Sequence, residues 1–182
     1  MRIISGKAGG IRLKSLKNSN ARPTLDRVKE ALFSILAPYL REAKVLDLFA
    51  GFGGLGLEAV SRGAKEVTLV ERNRKNADII RKNIDLCNFN NEVELIQGDV
   101  FKFLDKSNSN FDIIIMDPPY NKKYGEKLLK IISNNNLIKD KGLVVIEHGK
   151  NETINDVNDL IKFKEKKYGD TFLTILVKRE EN

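Results

Sequence analysis

From residue 44 to residue 147, short apolar runs alternate with stretches of helical periodicity, a rhythm that points to a parallel α/β sheet. The runs predict strands over 44–49, 66–70, 93–97, 111–116 and 142–147, and helices over 54–62, 74–87, 100–104, 124–134 and 154–160. The alternation then stops. Residues 161–168 and 171–178 flank Gly169-Asp170, a hairpin turn with no room for a crossover helix, so one of these strands must run antiparallel to the rest. Upstream, residues 2–5 and 11–16 flank a glycine-rich turn over 6–10 and predict a small β-hairpin, followed by a polar loop over 18–21. Pro23-Thr24 starts a helix that runs to about Ala37, ahead of Pro38. Its stripe of Val28, Leu32, Ile35 and Leu36 leaves Arg22, Asp26, Arg27 and Lys29 to solvent or ligand.

A chain of 182 residues is expected to form one domain, with the hairpin and loop over 1–21 and a helix plus α/β core over 22–182. No apolar run approaches the ~20 residues needed to cross a bilayer, and the first residues lack the apolar centre of a signal peptide. A cytoplasmic monomer is the expectation. Cys87 falls in a helical stretch and reads as a buried thiol; one Cys and one His provide no metal cluster. His148, after Glu147 at the end of the fifth strand, reads as solvent-facing or capping rather than catalytic.

The net charge of +7 is unevenly placed. Residues 1–41 hold nine Lys/Arg against Asp26 and Glu30, and basic and acidic side chains balance over the remainder, so the whole excess lies in the N-terminal arm. Such asymmetry is an electrostatic footprint for a polyanion. Arg2, Lys7, Arg12, Lys14, Lys17, Arg22 and Arg27 are the candidate phosphate contacts, with Lys122 and Lys123 as further candidates. Ile3, Ile4, Ile11, Leu13 and Leu16 give the arm enough apolar surface to fold locally.

Two motifs carry chemistry. VLDLFAGFGGLGLEA, over 45–59, is a strand ending in a glycine turn that opens a helix, and DPPY, over 117–120, ends the fourth strand. A glycine turn alone serves any nucleotide cofactor. With strand order 3-2-1-4-5, however, strands 1 and 4 adjoin at the crevice where such folds bind ligands, which places both motifs side by side. Glu71 ends strand 2 about 20 residues after the glycine turn, the spacing at which an acid accepts both ribose hydroxyls. Asp99 ends strand 3, where it can accept from an adenine amino group or cap the next helix, with Val100 covering the ring. Asp47 lies among apolar neighbours, where a carboxylate is costly unless hydrogen-bonded, and is assigned to fixing the glycine loop and to the positive end of a cofactor.

The lone pair of an amine on a base is delocalised into the ring, so the nitrogen is a poor nucleophile. The Asp117 carboxylate and the Pro118 carbonyl can accept its protons and favour the pyramidal nitrogen that attacks a sulfonium methyl. Two prolines hold that carbonyl rigid and donate nothing, and Tyr120 offers a stacking face. The competing readings are a DNA or RNA adenine-N6 methyltransferase, a nicotinamide-dependent oxidoreductase, and a non-catalytic RNA-binding or assembly factor. A cytosine-C5 enzyme needs a nucleophilic cysteine in a turn, which Cys87 does not provide.

RPTLDRVKEALFSIL over 22–36, VLDLFAGFGGLGLEAVSRGA over 45–64, VERN over 70–73 and DPPY together resemble the bacterial RsmD family, the 16S rRNA (guanine(966)-N(2))-methyltransferases. The resemblance spans nearly the whole chain and implies a Rossmann-like class I methyltransferase fold, a seven-stranded mostly parallel sheet with an antiparallel C-terminal hairpin. It implies S-adenosylmethionine as cofactor, S-adenosylhomocysteine as product, no metal, and 16S rRNA within a 30S subunit or assembly intermediate as partner. By it, Asp47, Phe49, Ala50, Gly51, Gly53, Glu71, Arg72, Asp99 and Val100 hold the cofactor, while Asp117, Pro118 and Tyr120 hold the guanine amine. Phe52 stands where that family usually has a small residue, often serine.

Overall fold

Five parallel strands form the centre of the computed structural model, which describes residues 1–16, 23–119, 122 and 124–180. They are β1 (Lys44–Leu48), β2 (Glu66–Glu71), β3 (Val93–Gln97), β4 (Phe111–Met116) and β5 (Ile138–Gly149). β6 (Leu160–Tyr168) and β7 (Thr171–Lys178) form the expected antiparallel hairpin, turning at Gly169. β7 adds antiparallel to β5, giving one seven-stranded sheet in the order β3-β2-β1-β4-β5-β7-β6. β1 and β4 are therefore neighbours, and strand order reverses between them.

The helices are α1 (Pro23–Leu36), α2 (Gly54–Ser61), α3 (Arg74–Cys87), α4 (Val100–Lys106) and α5 (Gly125–Asn134). Apolar side chains fill both faces of the sheet, as a parallel sheet requires. Val45, Ile113, Val145 and Ile175 pack with α1, α2 and α3 on one face, while Leu46, Ile114, Val144 and Leu176 pack with α4 and α5 on the other. Cys87 is buried in the first of these layers, and burial raises the pKa of its thiol.

Three expectations need correction. No helix forms over 154–160. Ile154, Val157 and Leu160 are buried at their three-residue spacing, but Asn155, Asp156, Asn158 and Asp159 favour turns over helix. Asn158 adopts φ 53°, and Val157 and Leu160 exchange backbone hydrogen bonds at 2.9 Å. Lys29 is not left to solvent: it is 4% exposed and its ammonium lies 3.1 Å from the buried Glu58 carboxylate. His148 does not face solvent either. β7 covers it, its Nε2 lies 2.8 Å from Thr174 Oγ1, and its ring stacks on Phe172.

The N-terminal arm pairs as a hairpin, though with a single ladder bridge, Arg2 to Arg12. Ile3 N–H donates to the Ile11 carbonyl and Gly10 N–H to the Ile3 carbonyl, both at 2.9 Å. It is not folded locally for its own sake, because α2 completes it. Ile4 N–H and Ser5 N–H donate to Glu58, at 2.7 and 3.1 Å, and Ala8 N–H donates to Ser61 Oγ at 2.9 Å. Ile3 and Leu13 are buried in the same layer as α1 and α2. The cationic arm is thus fastened to the α/β body at its glycine-loop side.

Candidate active site

The glycine turn begins with a strained residue. Phe49 leaves β1 with φ 64°, a region that non-glycine residues rarely occupy and that clusters at ligand sites. Ala50 N–H then donates to the Val70 carbonyl at 3.0 Å, and Gly51 N–H donates to Glu71 Oε2 at 2.8 Å. The other Glu71 oxygen accepts from Asn73 N–H at 2.6 Å. Glu71 therefore ties the ends of β1 and β2 together, and each of its oxygens keeps further acceptor capacity.

Asp47 fixes the start of α2. Its Oδ2 accepts from Gly56 N–H at 2.8 Å, an approach only glycine permits. A Cβ on Gly56 would come within 2.2 Å of a Leu69 methyl and 3.2 Å of that same carboxylate oxygen. Burial pushes the Asp47 carboxyl up to about 7, opposed by the Gly56 hydrogen bond and reinforced by the charge of Glu71. A carboxyl whose folded pKa lies above its unfolded value stabilises the fold fully below the unfolded value, and that contribution is lost as pH rises towards 7. Ligand-free protein is therefore expected to lose on the order of 4 kcal/mol from this group between pH 4 and pH 7.5, at about 1.4 kcal/mol per pKa unit. Thermal melts of wild type and Asp47→Asn across that range check this; equal slopes for both proteins would refute it.

Five of the expected cofactor residues line one open cleft of about 1160 Å³, while Gly53, the residue before α2 with φ 82°, lines neither this cleft nor the smaller cavity below. Phe49, Glu71, Arg72, Asp99, Val100, Asp117 and Pro118 all face it. Asp99 caps α4, accepting from Phe101 N–H at 3.1 Å and Lys102 N–H at 3.3 Å, and its other oxygen lies 3.8 Å from the Arg72 guanidinium. Ala50 and Gly51, with Asp47, line a second, smaller cavity of about 180 Å³ between the glycine turn, Met1 and α1. Asp117 and Glu147 line both spaces and so stand at their junction.

Register explains that junction. Asp47, Ile115 and Val145 are aligned across β1, β4 and β5. Side chains alternate between faces along a strand, so Asp117 and Glu147, two residues further on, project to the same face as Asp47. Burial, then Glu147, then Asp47 raise the Asp117 pKa well above the usual carboxylate range. Glu147 was absent from the expected site. The signal was present, because Glu147 holds the position on the fifth strand that Asp117 holds on the fourth, but it appears only once the register is known.

The sequence reading also missed an aromatic edge. The Tyr124 ring lies parallel to Phe49, 6.4 Å between centroids, and meets Phe101 edge-on at 5.1 Å. Pro118 is buried and Pro119 exposed, and Lys122 reaches the cleft from the turn after them. Among the candidate phosphate contacts, Arg2, Arg12, Lys14 and Arg27 are exposed. Lys7 is committed elsewhere, with its ammonium 2.6 Å from Glu92 and 4.8 Å from the centre of the Phe89 ring. Tyr120, Lys17, Arg22 and Lys123 lie outside the described residues.

The chain matches the family model described as conserved hypothetical protein 95 over residues 1–177. It is 36% identical over 172 residues to ribosomal RNA small subunit methyltransferase D of Haemophilus influenzae, covering 93% of this chain and 89% of that one. Against the Escherichia coli K12 protein of the same name it is 35% identical over 147 residues, covering 81% and 74% of the two chains. The solved structure of Escherichia coli YhhF superposes with a TM-score of 0.90 at 30% identity, covering 100% of this chain and 99% of that chain. The fold, the cleft at the β1/β4 reversal and these matches along nearly the whole length agree: this chain belongs to the RsmD family.

Proposed function

We propose that this protein is an rRNA methyltransferase that transfers the methyl group of S-adenosylmethionine to the exocyclic N2 amine of a guanine in 16S rRNA, position 966 by analogy with its family. The observation that carries the reading is the shared cleft. Glu71 and Asp99 on one side and Asp117-Pro118 on the other line a single space at the strand-order reversal. The relatives' names, which specify a small-subunit rRNA methyltransferase, support the substrate class.

The residues suit this cofactor. Glu71 presents a carboxylate with spare acceptor capacity for ribose hydroxyls, and Val100 and Phe101 offer apolar and aromatic surface beside Asp99 for an adenine. Asp47 and Glu147 place carboxyl groups where the cationic part would lie. Bound there, the cofactor supplies an electrophilic methyl group on a sulfonium.

The chain's own groups do the rest. The Pro118 carbonyl, held by consecutive proline rings, and the Asp117 carboxylate accept the two amine protons and orient the nitrogen lone pair at the methyl. With the methyl donor bound, the nitrogen lone pair would form the new N–C bond as the C–S pair is left on sulfur, and the surplus proton would pass to Asp117. Glu147 and Asp47 raise the proton affinity of Asp117, which equips it to take that proton. Tyr124, stacked with Phe49, walls the cleft and keeps water from one side of the reacting groups.

Glu71→Ala is expected to weaken S-adenosylmethionine binding by ~2–3 kcal/mol, the value of a charged acceptor. It also releases Gly51 and Asn73, so titration calorimetry should be read beside a melting curve. Tight NAD binding by a protein that ignores S-adenosylmethionine would overturn the methyltransferase reading. The activity itself is tested by incubating the protein with tritiated S-adenosylmethionine and either naked 16S rRNA or 30S particles, then identifying the labelled nucleoside. N2-methylguanosine at one site is expected; N6-methyladenosine would move the protein to the adenine-modifying class.

A further inference from the structure

A further concave surface lies beside the cleft, between the arm and α3. Lys14, Ser15 and Leu16 form one wall, and Lys75, Asp78, Ile79 and Lys82 form the other, enclosing about 440 Å³. Lys75 lines both this groove and the main cleft, so the two adjoin at the start of α3. Arg72 and Arg74 stand on the same rim of the cleft.

The groove is built. Asn83, fully buried on α3, accepts from Lys14 N–H at 2.7 Å and donates to the Lys14 carbonyl at 3.0 Å. The same amide donates to the Phe52 carbonyl at 2.9 Å, so one side chain holds the arm, α3 and the glycine turn in fixed relation. Lys75, Ile79 and Lys82 recur at helical spacing and share one face of α3. Asp78, the groove's acid, is neutralised by Arg81 at 2.7 Å. Among the described residues, no ion pair engages Lys14, Lys75 or Lys82. Leu16, 42% exposed, and Ile79 add apolar surface between the ammonium groups.

We infer that this groove carries the RNA strand adjoining the target nucleotide: its phosphates lie on Lys75, Lys82 and Lys14, and one base or ribose rests on Leu16 and Ile79. Three cations without an ion-pair partner among the described residues, set around apolar surface and adjoining the cleft, complement a single-stranded polyanion whose bases are turned out. The inference rests on the RNA reading of the cleft and adds the path by which the strand leaves it. It also gives α3 a role that the arm alone would otherwise hold.

The test reverses charge at the two groove positions outside the cleft, Lys14→Glu with Lys82→Glu, and measures binding of a 16S rRNA fragment by filter retention across a salt series. A control, Lys166→Glu with Lys167→Glu, makes the same charge change on β6, at the opposite edge of the sheet. The groove variant is expected to bind about tenfold or more weakly, with a log–log salt slope shallower by about 1.4 for two lost phosphate contacts. S-adenosylmethionine affinity is expected to be unchanged, and the control to stay close to wild type. Equal losses in both variants would reduce the groove to net charge and overturn the proposal, as would an unaltered groove variant. So would a defect seen only with 30S particles and not with naked RNA, which would make the surface a protein contact. A wild type that binds RNA through the groove yet transfers no methyl group would leave this inference standing and remove the proposed function. A wild type that binds no RNA would remove both.

Discussion

Asp117→Ala is expected to lower single-turnover methyl transfer by about 10²–10⁴-fold while leaving S-adenosylmethionine affinity nearly intact, the range for one positioned acid–base group. The expectation follows from place rather than from motif. Asp117 stands at the junction of the two cavities, flanked by Glu147 and Asp47, and its proton affinity is raised by burial and by both neighbours. The pH–rate profile carries a second signature. Asp117 accepts only when ionised, so the rate should climb with pH through its raised pKa, and Glu147→Gln should move that limb to lower pH by removing a like charge. A full rate in Asp117→Ala, or a limb that stays in place in Glu147→Gln, would mean that the acceptor lies elsewhere.

Glu58→Ala is expected to cost about 3–5 kcal/mol of stability, the range for breaking a buried ion pair from one side. Glu58 is fully buried and accepts from Ile4 N–H, Ser5 N–H and the Arg62 guanidinium, with the Lys29 ammonium at 3.1 Å. Its removal leaves Lys29 buried without a counter-charge and releases the arm. Urea unfolding measures the loss, and RNA affinity should fall with it, because Arg2, Arg12 and Lys14 are carried on that arm. Glu58→Gln keeps one acceptor oxygen, enough for one of the two arm amides, and is expected to retain more RNA affinity than Glu58→Ala. A loss under about 1 kcal/mol in Glu58→Ala, the scale of an exposed pair, would show that the arm is held by its apolar contacts alone.

What the sequence made legible was local or repeated. The glycine turn needs only Asp47, Gly51 to Gly56 and the strand before them, and it forms where expected. Alternating strands and helices pointed to a parallel sheet with right-handed crossovers, which admits more than one strand order; the order 3-2-1-4-5, which sets β1 beside β4, is the one the structure has. The arm's anchorage was not legible, because Ile4 and Glu58 lie 54 residues apart and nothing near Lys29 announces a buried carboxylate. His148 was misread for the same reason: its burial depends on β7 returning beside β5 to bring Phe172 and Thr174 against it. Residues 154–160 misled through periodicity, since apolar side chains at three-residue spacing also anchor an irregular segment when the intervening residues are Asn and Asp. Glu147 needed the register. Its neighbour His148 stood out as the only histidine, while the glutamate on the cleft side belongs to the candidate site.

The central claim is that the cleft methylates an exocyclic amine presented to Asp117 and Pro118. The most direct test uses a 16S rRNA fragment, or reconstituted 30S particles carrying it, in which the single labelled guanosine is replaced by inosine. Inosine keeps the ring, the O6 carbonyl and N7 but lacks the N2 amine. Methyl transfer from tritiated S-adenosylmethionine should fall to background on the inosine RNA, while that RNA binds with nearly the affinity of the guanosine form. Undiminished labelling of the inosine RNA would place the methyl group on an atom other than N2 and contradict the acceptor roles of Asp117 and Pro118.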